Sequence, residues 1–177
     1  MKQQFGPIRQ LGYVVRDIEA SMRYWTEQLG VGPFFYYDRA PMRDFKYLGQ
    51  PCDAQISAAL GQSGPLQIEL LQPRDDRPSP YLDFIKSGRE GVQHVAFWTE
   101  HFDADLARAT EAGFEPVLTG YTIEPEGRIV YFSDRRDPHP GVMVELSSLS
   151  PGKKKAFDAV AAASVGWDGS DPIRRLG

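Results

Sequence analysis

The sequence predicts an α+β fold made of two copies of one βαβββ unit, and two observations carry that expectation. First, one order of patterns, a strand, a helix, then three strands, runs over residues 8–73 and restarts over 91–147. Self-similarity on that scale marks a repeated supersecondary unit. Second, four polar residues in otherwise apolar strands fall at equivalent places: Gln10 and His94 in the first strand of each copy, Glu69 and Glu145 in the last. The separations within the two pairs differ only by the length of an ordinary loop. The 177 residues suit one compact unit or two small modules fused into one core.

The elements follow in order. Ile8 to Arg16 alternates as a strand, with Leu11, Tyr13 and Val15 on one face and Gln10, Gly12 and Val14 on the other. Asp17 is placed as an N-cap, and Ile18, Met22, Trp25 and Leu29 form the stripe of an amphipathic helix that Gly30 ends. Phe34 to Tyr37 is a short aromatic strand, whereas Arg39 to Pro51 has mixed charge without period and reads as a loop. Strands are expected over Asp53 to Leu60 and Pro65 to Gln72, with a turn at Gly61 to Gly64. A proline-rich linker, 74–90, holds a short helix from Tyr81 to Ser87. The second copy then brings a strand from Val92 to Trp98 and a helix striped by Phe102, Leu106 and Ala109. Strands over Phe114 to Tyr121, Gly127 to Ser133 and Gly141 to Ser147 complete it. Residues 1–150 thus form the paired-module domain, and 151–177 a C-terminal helix and tail. The stretch 167–172 either covers a cavity mouth or is a docked terminus.

Composition narrows the function. The formal net charge of -4 and the acidic pI disfavour nucleic-acid and anionic-membrane partners. The N-terminus lacks the pattern of a secretory leader, and no apolar run approaches the roughly 20 residues of a membrane span. The single cysteine, Cys52, excludes an internal disulfide and a multi-cysteine zinc site. A cytoplasmic protein with a small-molecule partner is expected. Exposed sheet edges usually need cover, so a homodimer is expected as well.

The strand faces separate two environments. Leu11, Tyr13, Val15, Ile68, Leu70, Val95, Phe97, Val142, Val144 and Leu146 make an apolar face for the helices. The opposite face carries Gln10, Glu69, His94 and Glu145, and His94 shares it with Val92, Ala96 and Trp98. An antiparallel sheet with one solvated face shows the same alternation. Against that stand the neighbours Gly12, Val14, Leu71, Ala96 and Met143, which are small or apolar, whereas a wet face carries lysine, threonine and serine. Carboxylates in such company are costly unless paired or bound to a cation. One imidazole, one amide oxygen and two carboxylates form a mixed nitrogen and oxygen set that suits a divalent first-row metal. His101, His139, Lys153, Lys154 and Lys155 read as surface residues, and Cys52 as a small buried one.

The segments Leu11-Gly-Tyr-Val-Val-Arg-Asp-Ile18, Ile68-Glu-Leu-Leu-Gln-Pro73, Gly91-Val-Gln-His-Val-Ala96 and Pro140-Gly-Val-Met-Val-Glu-Leu146 together resemble the vicinal oxygen chelate superfamily. That superfamily holds glyoxalase I, methylmalonyl-CoA epimerase, bleomycin-resistance proteins and extradiol dioxygenases. The resemblance implies a curled mixed sheet forming a cup around a metal. It implies metal ligands at Gln10, Glu69, His94 and Glu145, in a set like that of zinc-type glyoxalase I. Zinc comes first as cofactor, with nickel, cobalt, manganese and iron also compatible. It implies a metal-dependent lyase or an isomerase of the epimerase kind, working by proton abstraction alpha to a metal-bound carbonyl or thioester. Glu145 is the expected base and Glu69 its counterpart. The aromatic residues Phe34, Tyr36, Trp98 and Phe132 are expected as the substrate wall. Epimerases of the group place a further acidic residue before the third strand, where this chain has only Asp53. The alternative is a bleomycin-resistance-type protein that binds a small molecule without turnover.

Overall fold

The computed structural model describes residues 5–122, 126–134 and 142–176. The first unit comprises β1 (Gln10–Val14), α1 (Ile18–Arg23) with a π-helical turn (Tyr24–Gln28), β2 (Phe34–Tyr37), β5 (Ile56–Ser63) and β6 (Leu66–Pro73). Between β2 and β5 lies a hairpin, β3 (Met42–Tyr47) and β4 (Gln50–Pro51). After α2 (Pro80–Lys86) the second unit runs through β7 (Gly91–Thr99), α3 (Phe102–Glu111), β8 (Phe114–Thr122), β9 (Arg128–Asp134) and β10 (Met143–Ser148). Helix α4 (Pro151–Ser164) and β11 (Ile173–Leu176) close the chain. His139, with most of the expected loop before β10, lies outside the described residues.

All the strands join one mixed sheet in the order β11-β2-β5-β6-β1-β7-β10-β9-β8-β3-β4. Its centre is the antiparallel pair β1–β7, flanked by β6 parallel to β1 and β10 parallel to β7. The two units therefore meet at their first strands, and each contributes its last strand beside that joint. The arrangement is a curled α+β sheet with α1 and α3 on its outer face, while α2 and α4 pack on the cup face.

Local chemistry explains the helices. The Asp17 carboxylate accepts from the Ala20 amide at 2.8 Å, and Ser79 accepts from Leu82, with Pro80 in the first helical turn. Ile18 and Met22 are fully buried and pack on Val15, Ile68 and Leu70. Phe102 and Ala109 of α3 do the same on Val130, Phe132 and Leu146. Burying each large apolar side chain stabilises by roughly 1.5–3 kcal/mol, so these two patches set which side of the sheet α1 and α3 cover.

Three local expectations are corrected. The stretch Arg39 to Pro51 is a hairpin rather than a loop: β3 pairs antiparallel with β8, crossing from one unit to the outer edge of the other. Its period is hidden by a register shift between Arg43 and Lys46, where Asp44 has φ 53°. Phe45 is the one buried anchor, seated on Gly120, where an added Cβ would lie 1.7 Å from the ring. The expected turn at Gly61 to Gly64 moves toward Pro65, and Gly61 stays inside β5 because the Phe34 ring covers it. Ile173–Leu176 forms a strand on the edge of β2. Both flanks of the eight-strand cup are thus covered from within the chain. The edges of the full sheet are then β11 and β4. No described helix is long and apolar enough to cross a membrane.

Candidate metal centre

The strand joint brings the polar residues together. His94 lies opposite Gly12 across β1–β7, and Gly12 lies opposite Glu69 across β1–β6. Glycine is required there: a Cβ on residue 12 would sit 1.8 Å from His94 Cε1. The bare backbone lets the imidazole lie across β1 and reach toward β6. His94 Nε2 stands 3.2 Å from Glu69 Oε2 and 3.3 Å from Glu145 Oε2. One ligand atom from each of the three lies within 4.8 Å of the others. Gln10 lines the same cavity, with its amide nitrogen donating to Gln67 Oε1 at 2.7 Å. That leaves the Gln10 amide oxygen as an acceptor.

A β-bulge aims the histidine. Between Gly12 and Tyr13 the β7 partner jumps from His94 to Val92, so Gln93 is an extra residue in the ladder. Simple alternation would turn Val92 inward and Gln93 outward. Instead Val92 is exposed and Gln93 is buried beside His94. Gln93 Oε1 is 2.7 Å from His94 Nδ1, while its amide nitrogen faces Met143 Sδ at 3.1 Å. A carbonyl oxygen only accepts, so Nδ1 carries a proton and Nε2, the nitrogen that gains or loses the second proton, faces the two carboxylates.

The electrostatics follow from that placement. Burial alone would push the His94 pKa down, but hydrogen bonds and charges from Glu145 and Glu69 outweigh it and raise the value to about 9. Burial alone would raise Glu145, yet His94, Lys153 and Tyr131 pull it below the ordinary carboxylate value. The Tyr131 hydroxyl is 3.4 Å from His94 Nε2 and takes a 3.2 Å hydrogen bond from Tyr81. Burial first, then the nearby carboxylates, holds both phenols well above their usual pKa, so they remain donors.

The residues fit a metal. Ligand atoms bonded to one ion at about 2.0–2.2 Å lie roughly 3.0–3.5 Å apart, the spacing seen from His94 Nε2 to each carboxylate. One buried and one half-buried carboxylate facing the same imidazole nitrogen repel unless a proton or cation lies among them. The imidazole is already held in the tautomer a metal ligand needs. Donors from both units converge inside one chain.

A cavity of about 60 Å³ opens beside this cluster. Met42 and Phe45 of the β3–β4 hairpin form one wall, with Leu71 and Ile129 from the sheet. The expected aromatic wall is not part of it. Phe34 and Tyr36 pack under α1, and Tyr36 accepts from Arg74 and donates to Asp38. Phe132 lies under α3, stacked on Phe5. Trp98 faces α4, with its ring 4.5 Å from that of Phe157. The cavity is lined instead by Tyr37 and Tyr131, each one residue along the chain from an expected member. A one-residue slip exchanges the faces of a strand, and periodicity alone did not set the register.

Sequence reasoning also missed Gln93, Tyr131 and Lys153. Lys153, expected on a solvated helix face, is 2% exposed, lines the cavity and donates to Ser147 Oγ at 2.6 Å. A signal existed: Lys153 shares its helical stripe with Phe157 and Val160, the buried residues of α4. His101 stands at the N-cap position of α3 without a side-chain cap bond and is exposed. Trp167 packs against Gly32, away from the cavity lining, which makes 167–172 a docked segment.

A βαβββ pair joined at its first strands, with nitrogen and oxygen donors at the joint, defines a class of cups whose donors could hold a metal ion. The chain belongs to the Glyoxalase/Bleomycin resistance protein/Dioxygenase superfamily, whose profile matches residues 9–132. Methylmalonyl-CoA epimerase from Mycobacterium tuberculosis shares the fold with TM-score 0.61 at 19% identity, covering 89% of this chain and 95% of that one. A hypothetical protein from Bacillus halodurans gives 0.57 at 19%, covering 81% and 94%. A mutant of 4-hydroxymandelate synthase from Streptomyces coelicolor gives 0.55 at 14%, covering 82% of this chain and 39% of that one. No curated protein matches the chain. At these identities the likeness is one of fold, and the fold hosts different chemistries.

Proposed function

We propose that this protein is a metal-dependent enzyme, a lyase or an isomerase of the epimerase kind, that removes a proton alpha to the carbonyl of a small carbonyl or thioester compound. The supporting observation is the cluster itself: two carboxylates and a tautomer-fixed imidazole nitrogen converge on one point at the wall of an apolar cavity. A divalent ion held by Gln10, Glu69, His94 and Glu145, zinc first, with nickel, cobalt, manganese and iron as further candidates, would supply Lewis acidity toward a carbonyl oxygen.

The remaining work falls to side chains. Glu145 is the base. It is nearly sealed from water, faces the cavity and has Tyr131 to hold one of its oxygens. A carboxylate taken out of water binds a proton more tightly once its cationic neighbours are otherwise engaged. Glu69 comes from β6, on the other flank of the β1–β7 joint, and offers a second carboxylate to a carbon lying between. Asp53 does not serve: its side chain is 82% exposed and pairs with Arg77. If the reaction inverts a centre, its two bases are therefore Glu145 and Glu69. Met42 and Phe45 exclude water from the reacting carbon.

The four-donor set favours turnover over sequestration without chemistry. The test is NMR of small 2-oxo compounds and acyl thioesters in deuterium oxide with metal-loaded protein. Deuterium should appear at the alpha carbon of at least one, and a chelator should abolish it. Stoichiometric metal with no exchange across the panel would reject the enolisation reading.

A further inference from the structure

His94 and Gln10 each give a nitrogen-bound hydrogen to a buried glutamine. His94 Nδ1 faces Gln93 Oε1 at 2.7 Å, and Gln10 Nε2 donates to Gln67 Oε1 at 2.7 Å. Gln10 and His94 lie in the first strands of the two units, so the pattern occurs once in each. Gln67 stands opposite Gln10 in the parallel β1–β6 ladder, and two residues before Glu69 on the same face of β6. It is fully buried, and it is not part of the cavity lining formed by the described residues.

Two glutamine side chains can bond in two senses. Either the Gln10 nitrogen donates to the Gln67 oxygen, or both amides are reversed and Gln67 donates to Gln10. The number of bonds between them is the same, and the two senses differ in what is left over. In the observed one Gln67 Nε2 is buried with no partner among the described residues. In the reversed one the leftover atom of Gln67 would be a carbonyl oxygen. A buried donor without a partner is rarer in folded proteins than a buried acceptor without one. The pair thus adopts the sense that leaves the costlier group unmet at Gln67. What it gains lies at Gln10, which lines the cavity. With the Gln10 nitrogen engaged by β6, the atom left for the cavity is its oxygen. The reversed pair would offer N–H groups, which repel a cation.

We propose that Gln67 is a positioning residue for the metal centre, holding the Gln10 amide with its oxygen free for the ion. This rests on the reading of Gln10, Glu69, His94 and Glu145 as a metal site. Gln67 does for the oxygen donor of the first unit what Gln93 does for the nitrogen donor of the second. Without an acceptor at residue 67, the buried Gln10 nitrogen needs another, and the acceptors lining the same cavity include the Glu69 and Glu145 carboxylates. An N–H turned to them would occupy oxygens that the ion needs.

The test titrates cobalt(II), whose visible absorption reports its donor set, into the whole chain after metal is stripped with a chelator. Gln67→Leu should bind cobalt about 10-fold more weakly, the low end of the effect of outer-shell partners. Its cobalt spectrum should shift in the same direction as that of Gln10→Ala. In a Gln10→Ala background Gln67→Leu should cost nothing further, because residue 67 acts only through the Gln10 amide. Gln67→Met, with an unbranched stem of similar length, serves as a second variant. The melting temperature of each metal-free variant checks that the sheet is intact. Unchanged affinity and spectrum in the folded variants, or a loss that persists in full in the Gln10→Ala background, overturns the proposal. Wild type that binds no cobalt removes the metal reading and this inference with it. Wild type that binds cobalt, with no response to substitution at residue 67, removes this inference alone.

Discussion

The two halves of the cup occupy equivalent strands and yet provide different chemistry. The first half contributes Gln10, tied to Gln67, and Glu69, whose side chain is 17% exposed. The second contributes His94 at 0% and Glu145 at 6%, with Gln93, Tyr131 and Lys153 around them. The repeat sets where a side chain can reach, while burial and the next layer of partners set what it does. In the second half a bulge, a tyrosine pair and a helix outside the repeat all bear on one histidine and one carboxylate. The first half has only Gly12, which clears the way for the imidazole of the other. The second half should therefore dominate both metal retention and proton transfer.

The largest expected effect comes from exchanging the equivalent residues. His94→Ala removes the only nitrogen donor of the cluster among the described residues and leaves Glu69 and Glu145 facing each other. Metal content should fall from near one per chain to near zero. Gln10→Ala removes a neutral donor and should leave most of the metal in place. Elemental analysis of the two variants decides the matter, and equal stoichiometry in both would refute the asymmetry.

Next come the carboxylates. Glu145→Gln keeps an oxygen but removes a base, so alpha-carbon exchange should fall by about 10²-fold or more, as general-base losses do. Glu69→Gln should cost less, since its carboxylate is more open to water. Should Glu69→Gln be the slower enzyme, the base belongs to the first half. A smaller effect is expected at Gln93. Removing the acceptor that fixes the imidazole should weaken metal binding by about 10- to 100-fold, typical of outer-shell partners. Gln93→Leu tests it by competition with a chelator, and unchanged affinity would mean that the bulge alone aims the ring.

The contrast between the halves also explains what the chain disclosed. That Gln10, Glu69 and Glu145 would face the cup was legible because the β1–β6, β5–β6, β7–β10 and β9–β10 ladders run there without a register shift. The helices were legible through Asp17 and the Ile18–Met22 stripe. The bulge was not, because an extra ladder residue leaves no mark in composition, and it turned Gln93 inward against the period. The cavity wall was missed for a related reason: Tyr36 and Tyr37, or Tyr131 and Phe132, are chemically alike, and only pairing settles which faces in. Hairpin β3–β4 hid behind the irregularity at Asp44. Lys153 was read by its charge, although its place on the stripe with Phe157 told of burial.

The smallest effect concerns pH, and it separates a proton from a metal at the joint. In the metal-free protein His94 has a folded pKa of about 9, against an ordinary value of 6.5. A raised pKa means that the folded state holds the proton more tightly than the unfolded chain. The stabilisation is therefore complete below about pH 6.5 and is lost as pH rises through about 9. The melting temperature of metal-free protein should fall across that window. His94→Gln should flatten the fall, because no proton then bridges Glu69 and Glu145. The metal-loaded protein should behave differently. A ligating imidazole must be deprotonated, so metal competes with the proton and its affinity should climb over the same window. Opposite trends in the two forms, both abolished at His94→Gln, are the expected pattern. A flat profile in metal-free wild type would mean that His94 stays neutral between its carboxylates, and that something other than a proton offsets their repulsion.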